Sequence, residues 1–322
     1  MHAKKPKQYI IQVISVNFMK VAIYQTSPKL LDVQHNLDDI ISKIRDGANN
    51  GVELCVFPEL ALTGYFVGQH YHDIALKMDS KKISQLVGAT KGTAAVVGFI
   101  EETRSMNFYN SALVAINGEI ELCYRKINLP NYHVFEEKKY FSKGTEIPTF
   151  WIDGFKIAPF ICNDLWHPSL VSLAITQETD VLVTIFNSSE GSMSDEFKNI
   201  DSWDLINKFY PRVFGVYNIC ANRVGTESLT EKKVANGFPD IDTDNIKMTD
   251  FIFWGKSQII NPYGNEIVCA KKDIEDVITA ELDLDILRKK RIEIPYLRQD
   301  DPYFMHRKLT QILKDKESPN YV

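Results

Sequence analysis

Short runs that are apolar at almost every position govern what this chain can fold into. They are Met19-Lys20-Val21-Ala22-Ile23-Tyr24, Leu54-Cys55-Val56-Phe57, Ala94 to Ile100, Phe155-Lys156-Ile157-Ala158 and Asp180 to Phe186. Each is too short for a helix and reads as a buried strand. Amphipathic stretches separate them. Asp32 can cap a helix whose apolar residues Val33, Leu37, Ile40, Ile41, Ile44 and Ala48 form one stripe, with Gly47 and Gly51 bracketing its end. Ser84 to Val87 suggests a second helix, and Trp203 to Phe209 another, with Pro211 near its end or kinking it. Asn117-Gly118, between Asn110–Ile116 and Glu119–Tyr124, is a strong hairpin signal. Further strands are expected at Val213–Cys220, Ser257–Ile260 and Val277–Leu282, and the polar span Thr226–Thr249 reads as an insertion loop. Strands and helices alternate without a linker, which predicts one α/β domain over residues 19–322.

Two ends fall outside this pattern. Residues 1–18 combine a basic cluster (Lys4, Lys5, Lys7) with an apolar run broken by Gln12 and Asn17. That run is too short to span a bilayer and weak as a signal peptide, so the segment is an N-terminal extension of unknown role. The charged tail beyond Arg288, with Pro295 and Pro302, is expected to dock on a neighbour. No later segment reaches transmembrane length, and a cytoplasmic protein without membrane contact is expected. A net charge of −5 with no basic, aromatic-interleaved face argues against nucleic-acid binding. The five cysteines are odd in number, widely spaced and never in a C-x-x-C pair, which argues against a disulfide framework or zinc ribbon.

Three chemical groups stand just past strand ends: Glu59 after Leu54–Phe57, Lys126 after the hairpin, and Cys162 after the run that begins at Phe155. Each alone has an ordinary reading, as a solvated strand end, a surface lysine and a small core residue. Cys162 also lies just upstream of a helix running through Leu170, Leu173, Ala174 and Ile175, with Pro168 in its first turn. The partial positive charge of that helix end would favour thiolate. Loops leaving strand ends in layered α/β folds gather at one edge, where ligands bind, so the three groups are expected to be neighbours.

Their surroundings make the pattern specific. Phe57-Pro58-Glu59-Leu60-Ala61-Leu62-Thr63-Gly64-Tyr65, Tyr124-Arg125-Lys126-Ile127-Asn128-Leu129-Pro130 continuing to Phe135–Phe141, and Cys162-Asn163-Asp164 with Pro168 resemble the three motifs of the carbon–nitrogen hydrolase (nitrilase) superfamily. The resemblance covers about residues 19 to 300, and three ordered motifs are far more specific than one. It implies a four-layer α-β-β-α sandwich that pairs into a homodimer. It also implies Cys162 as nucleophile, Glu59 as general base, and Lys126 with the Asn163 N–H as oxyanion donors. Glu137 would be an additional glutamate beside the lysine, with Glu136 the competing assignment. No metal or organic cofactor is implied. His133 and His167 lie near the motifs but in no protease signature.

The substrate is less legible. Asn163-Asp164 replaces the Trp-Glu pair usual in nitrilases, and the paired arginines of N-carbamoyl amino acid hydrolases are replaced by Leu165-Trp166. Leu129 to Phe135, Glu137, Tyr140-Phe141 and the Cys-x-Asp-Leu-Trp pattern resemble the glutaminase domain of glutamine-dependent NAD synthetases. No Ser-Gly-Gly-x-x-Ser ATP-binding motif occurs in the 322 residues, so a free-standing amidase acting on a small amide or carbamoyl compound is expected. Tyr65, Tyr132, Trp166 and Asn187 are candidate pocket walls.

Overall fold

The computed structural model describes residues 18–190, 192, 197–232 and 246–316. Residues 1–17 of the proposed extension lie outside them, and Phe18 opens the first strand. Two six-stranded sheets organise the chain. The first has the order Asp276–Asp283, Phe18–Gln25, Leu54–Val56, Ala94–Glu102, Phe108–Ile116, Glu119–Arg125. The second runs Glu266–Cys269, Gln258–Ile260, Tyr217–Asn222, Val181–Phe186, Phe155–Ile161, Phe150–Ile152. Each sheet has three parallel strands at its centre and antiparallel strands on either side.

The central strands are apolar at nearly every position because both faces of each sheet are covered there. Side chains alternate between faces along a strand. Val21, Ile23, Leu54, Val56 and Val96 meet Ile157, Val181, Val183, Ile185 and Ile219 of the other sheet in a shared core. Their neighbours Ala22, Tyr24, Cys55, Phe57 and Val97 pack under the helices Val33–Asn49 and Lys81–Ala89. On the second sheet Ala158, Phe160, Leu182 and Cys220 face the helices Pro168–Thr176 and Asn199–Phe214. The result is four layers, α-β-β-α. Each fully buried aliphatic or phenyl side chain in them contributes roughly 1.5–3 kcal/mol.

Local signals set several boundaries. Asp32 caps the first helix by accepting from His35 N at 3.1 Å. Asn117 and Gly118 both take left-handed conformations, with φ of 51° and 87°, as the tight hairpin requires. The helix expected at Trp203–Phe209 is longer, Asn199–Phe214, and passes through Pro211. Pro211 has no N–H for the carbonyl of Asn207, and Asn218 Nδ2 supplies that bond instead at 3.1 Å. Gly215 (φ 66°) ends the helix, so the strand expected from Val213 starts at Tyr217.

The span read as an insertion loop also differs. It holds the antiparallel strands Val224–Lys232 and Ile246–Trp254, and the second of these pairs with Ser189–Glu190. Phe251 and Phe253 are buried while Ile252 between them is exposed, a strand alternation that the surrounding polar residues conceal. Of the tail, Leu284–Glu293 is a helix whose Leu287 joins the inter-sheet core, and Pro302–Lys316 is a helix with no buried residue. None of the described helices is long and apolar enough to cross a membrane.

Candidate active site

The site lies where strand ends of the two sheets converge. After Leu54–Val56 the chain turns at Leu60, with φ of 47°, and Glu59 is fully buried beneath that turn. The turn lies against Gly98, where a Cβ would stand 2.4 Å from Leu60 N and 2.6 Å from Pro58 O. Only glycine permits that approach. Lys126 follows the edge strand Glu119–Arg125. Its N–H donates to Asn110 O at 2.9 Å and its carbonyl accepts from Gly144 N at 2.8 Å. Glu137 opens the short helix Glu137–Tyr140 inside the segment expected to be a loop over 127–149. Cys162 is the first residue beyond Phe155–Ile161 and takes φ of 47°, a strained conformation for a side chain with a Cβ.

Three of the predicted residues are joined directly. Lys126 Nζ donates to Glu59 Oε1 at 2.8 Å and to Glu137 Oε1 at 2.7 Å, all three side chains being essentially buried. Glu59 also accepts from Asn110 Nδ2 at 2.7 Å and, on its other oxygen, from Asn187 N at 2.9 Å. Burial alone would strip Lys126 of its proton, but the carboxylates of Glu137 and Glu59 outweigh it and hold the ammonium well above the ordinary lysine range. Burial also pushes Glu137 up; Lys126 opposes it, Glu59 adds to it, and the carboxyl comes to about 7. Of the two competing glutamates, Glu137 is thus the one inside. Glu136 faces solvent, paired with Lys139 at 3.2 Å.

The thiol of Cys162 is held in its neutral form. Burial and then the negative charge of Glu59 push it well above the ordinary cysteine range, and Lys126 only partly offsets them. The thiolate expected from the helix terminus is therefore not favoured, because desolvation and a nearby carboxylate outweigh a partial charge several residues away. Cys162 opens on a cavity of about 130 Å³ whose wall includes Tyr132, Asn163, Trp166, Asn187, Phe197 and Trp203. Trp166 packs edge-on against Trp203, with ring centroids 5.6 Å apart, and Trp203 stacks on Phe186 at 4.2 Å. Four of the five expected binding residues are thus cavity-lining. His133 and His167 are exposed and not part of the wall.

Tyr65 is placed differently from the pocket-wall assignment. It is not among the lining residues, and its hydroxyl donates to Glu137 Oε1 at 2.6 Å. Its own main chain is clamped from a distant element: Glu227 accepts from Tyr65 N at 3.1 Å and Phe66 N at 2.8 Å while paired with buried Arg223. Asp164 is a second residue that sequence reasoning did not single out. It accepts from Tyr124 Oη and Asn128 N, both at 2.7 Å, tying the turn after Cys162 to the segment after Lys126. Burial raises its carboxyl to about 6 against those bonds. The Cys-x-Asp spacing was its only signal in the sequence.

Two sheets packed face to face between helical layers, with a thiol, two carboxylates and an ammonium gathered at one edge, define a nitrilase-superfamily sandwich. The chain belongs to the carbon-nitrogen hydrolase family, whose family model matches residues 20–292. A probable nitrilase of Schizosaccharomyces pombe is 30% identical over 274 residues, covering 82% of this chain and 89% of that protein. The glutamine-dependent NAD(+) synthetase of Acinetobacter baylyi is 27% identical over 274 residues, or 85% of this chain. That alignment takes in 46% of the synthetase, so the chain spans about half the length of such relatives. The carbon-nitrogen hydrolase of Helicobacter pylori G27 superposes with a TM-score of 0.76 at 21% identity, covering 91% of this chain and 98% of that one.

Proposed function

We propose that the chain hydrolyses a non-peptide C–N bond of a small amide or N-carbamoyl compound through a thioester on Cys162. The observation that carries this reading is the buried ammonium of Lys126, held between Glu59 and Glu137 beside a neutral thiol. A neutral thiol does not attack an unactivated amide, so a base must take its proton as the C–S bond forms. Glu59 is that base. The carbonyl oxygen gains negative charge, which Lys126 and the Asn163 N–H stabilise; a pre-aimed donor of this kind is worth on the order of 10²–10³-fold. Collapse breaks the C–N bond, and Glu59 returns its proton to the departing amine or ammonia. Water activated by Glu59 then adds to the thioester and releases the acid and the thiol. Glu137 keeps Lys126 charged and fixed.

The S. pombe relative's name supports a nitrile as an alternative substrate, and the synthetase relatives support a glutaminase that supplies ammonia to a separate partner. An ammonia-release screen over amides, ureido compounds, glutamine and nitriles separates them. Release from amides or ureido compounds, abolished in Cys162→Ala and kept in Cys220→Ala, is the expected result. Release from nitriles alone would overturn the reading. Pairing into a homodimer is supported by the exposed Leu173, Leu205 and Phe209 on the two helices over the second sheet, and light scattering at one chain mass would exclude it.

A further inference from the structure

Three asparagines line the cavity, and they differ in one respect. Asn163 Oδ1 accepts from Tyr132 Oη at 3.2 Å and its Nδ2 donates to Asn128 O at 3.1 Å. Asn199 Nδ2 donates to Ser188 Oγ at 2.8 Å. Both are engaged with the protein. Asn187 is not: it is 2% exposed, and neither Oδ1 nor Nδ2 has a partner among the described residues. A buried donor and a buried acceptor left unmade each carry the cost of their lost hydration, so such groups in a cavity wall call for a ligand that completes them.

The main chain that carries this carboxamide is fixed. Asn187 follows directly on the strand Val181–Phe186, and its main-chain N–H donates to Glu59 Oε2 at 2.9 Å. The same residue lines the cavity onto which Cys162 opens. The free carboxamide therefore belongs to a residue that bonds the base through its main chain and shares a cavity with the nucleophile. We infer that Asn187 reads the reacting group itself, its Nδ2 donating to the substrate's carbonyl oxygen or an adjacent acceptor and its Oδ1 accepting an N–H of the scissile carboxamide or ureido nitrogen. Asn187 is then a specificity residue for C–N groups that carry an N–H. A primary amide or a urea presents acceptor and donor side by side. A nitrile or an ester has no N–H and leaves Oδ1 buried and unpaired. The acid product offers Oδ1 only a carboxylate oxygen and is repelled.

This inference rests on the proposed amide hydrolysis and is tested apart from it. Turnover of propionamide by the wild-type protein tests the hydrolysis. The ratio of kcat/KM for propionamide over methyl propionate, in wild type, Asn187→Leu and Asn187→Asp, tests Asn187. A ratio is unaffected by the fraction of a variant that folds. Loss of a hydrogen bond made to the amide nitrogen predicts a fall in that ratio of about 10- to 100-fold in Asn187→Leu. Asn187→Asp, which keeps the acceptor, should fall less. An equal loss toward amide and ester in both variants would mean a structural role and overturn the inference. If the protein turns over neither compound, protection of Cys162 against iodoacetamide gives the same comparison: stronger protection by propionamide than by methyl propionate, lost in Asn187→Leu, supports it, and equal protection overturns it.

Discussion

The two sheets bring different things to the edge where they meet. The first sheet and the loops beside it deliver charge: Glu59, Lys126 and Glu137, buried and interlocked by bonds of 2.7–2.8 Å. The second delivers the sulfur of Cys162 and the wall of the cavity, where the carboxamide of Asn187 is left without partners among the described residues. The contrast separates preparation from recognition. Charges that must not reorganise during bond breaking are locked beforehand within the protein. Groups that must meet a substrate keep bonding capacity open. A buried ion cluster is weak evidence for stability, since well-packed apolar residues often serve as well, so its presence here fits the reaction better than the fold.

The comparison can be broken from the charged side first. Lys126→Met leaves Glu59 and Glu137 facing each other without a counter-charge. Turnover should fall on the order of 10²–10³-fold from the lost oxyanion donor. Denaturant unfolding should show a loss of about 3–5 kcal/mol, the usual consequence of removing one partner from a buried ion pair. Unchanged turnover in a folded Lys126→Met protein would remove the lysine from the mechanism. Next comes Gly98→Ala. Its Cβ would press on main-chain atoms of Leu60 and Pro58, which cannot swing away, and so displace Glu59. A shift near 1 Å costs about 10²-fold in rate, and it should appear in kcat more than in KM. Wild-type kcat in that variant would show that the turn has more freedom than its contacts imply.

The smallest effect sharpens the comparison through pH. Burial and its neighbours raise Glu137 to about 7, so its own negative charge beside Lys126 is lost as pH falls through that value. The value of kcat/KM should therefore decline as pH falls through about 7. Glu137→Gln has no proton to exchange there and should lose that limb of the profile while turning over more slowly at higher pH. An acid limb that survives unchanged in Glu137→Gln would assign it to another group.

Much of this edge was legible in the sequence because Glu59 and Cys162 each follow a run whose burial is written in its composition, while Lys126 follows the returning strand of the Asn117-Gly118 hairpin. The choice of Glu137 over Glu136 came from the family resemblance of Glu137-Lys138-Lys139-Tyr140-Phe141. What stayed hidden depends on registers that no local pattern carries. Tyr65 reads as a pocket aromatic until its clamp, Glu227, is seen from a strand 162 residues away. Gly98 reads as one more residue in an apolar strand, and its role exists only because the Glu59 turn crosses it. The paired strands on either side of residues 233–245 were concealed by the many polar residues in that stretch of sequence, and residues 233–245 themselves lie outside the described part. The neutral state of Cys162 was the reverse case. Local sequence pointed to a helix terminus, while burial, and then a carboxylate from the other sheet, outweigh it.

The central claim is that carboxylate, ammonium and sulfur act together on one scissile bond by way of a covalent bond to residue 162. Rapid acid quenching during turnover of the best amide, followed by peptide mass mapping, tests it most directly. The account predicts an acyl group on the peptide containing Cys162, absent from Cys162→Ala and from its Lys126→Met counterpart at the same time point. Turnover with an acyl group found on another cysteine, or continuing undiminished in Cys162→Ala, would contradict it.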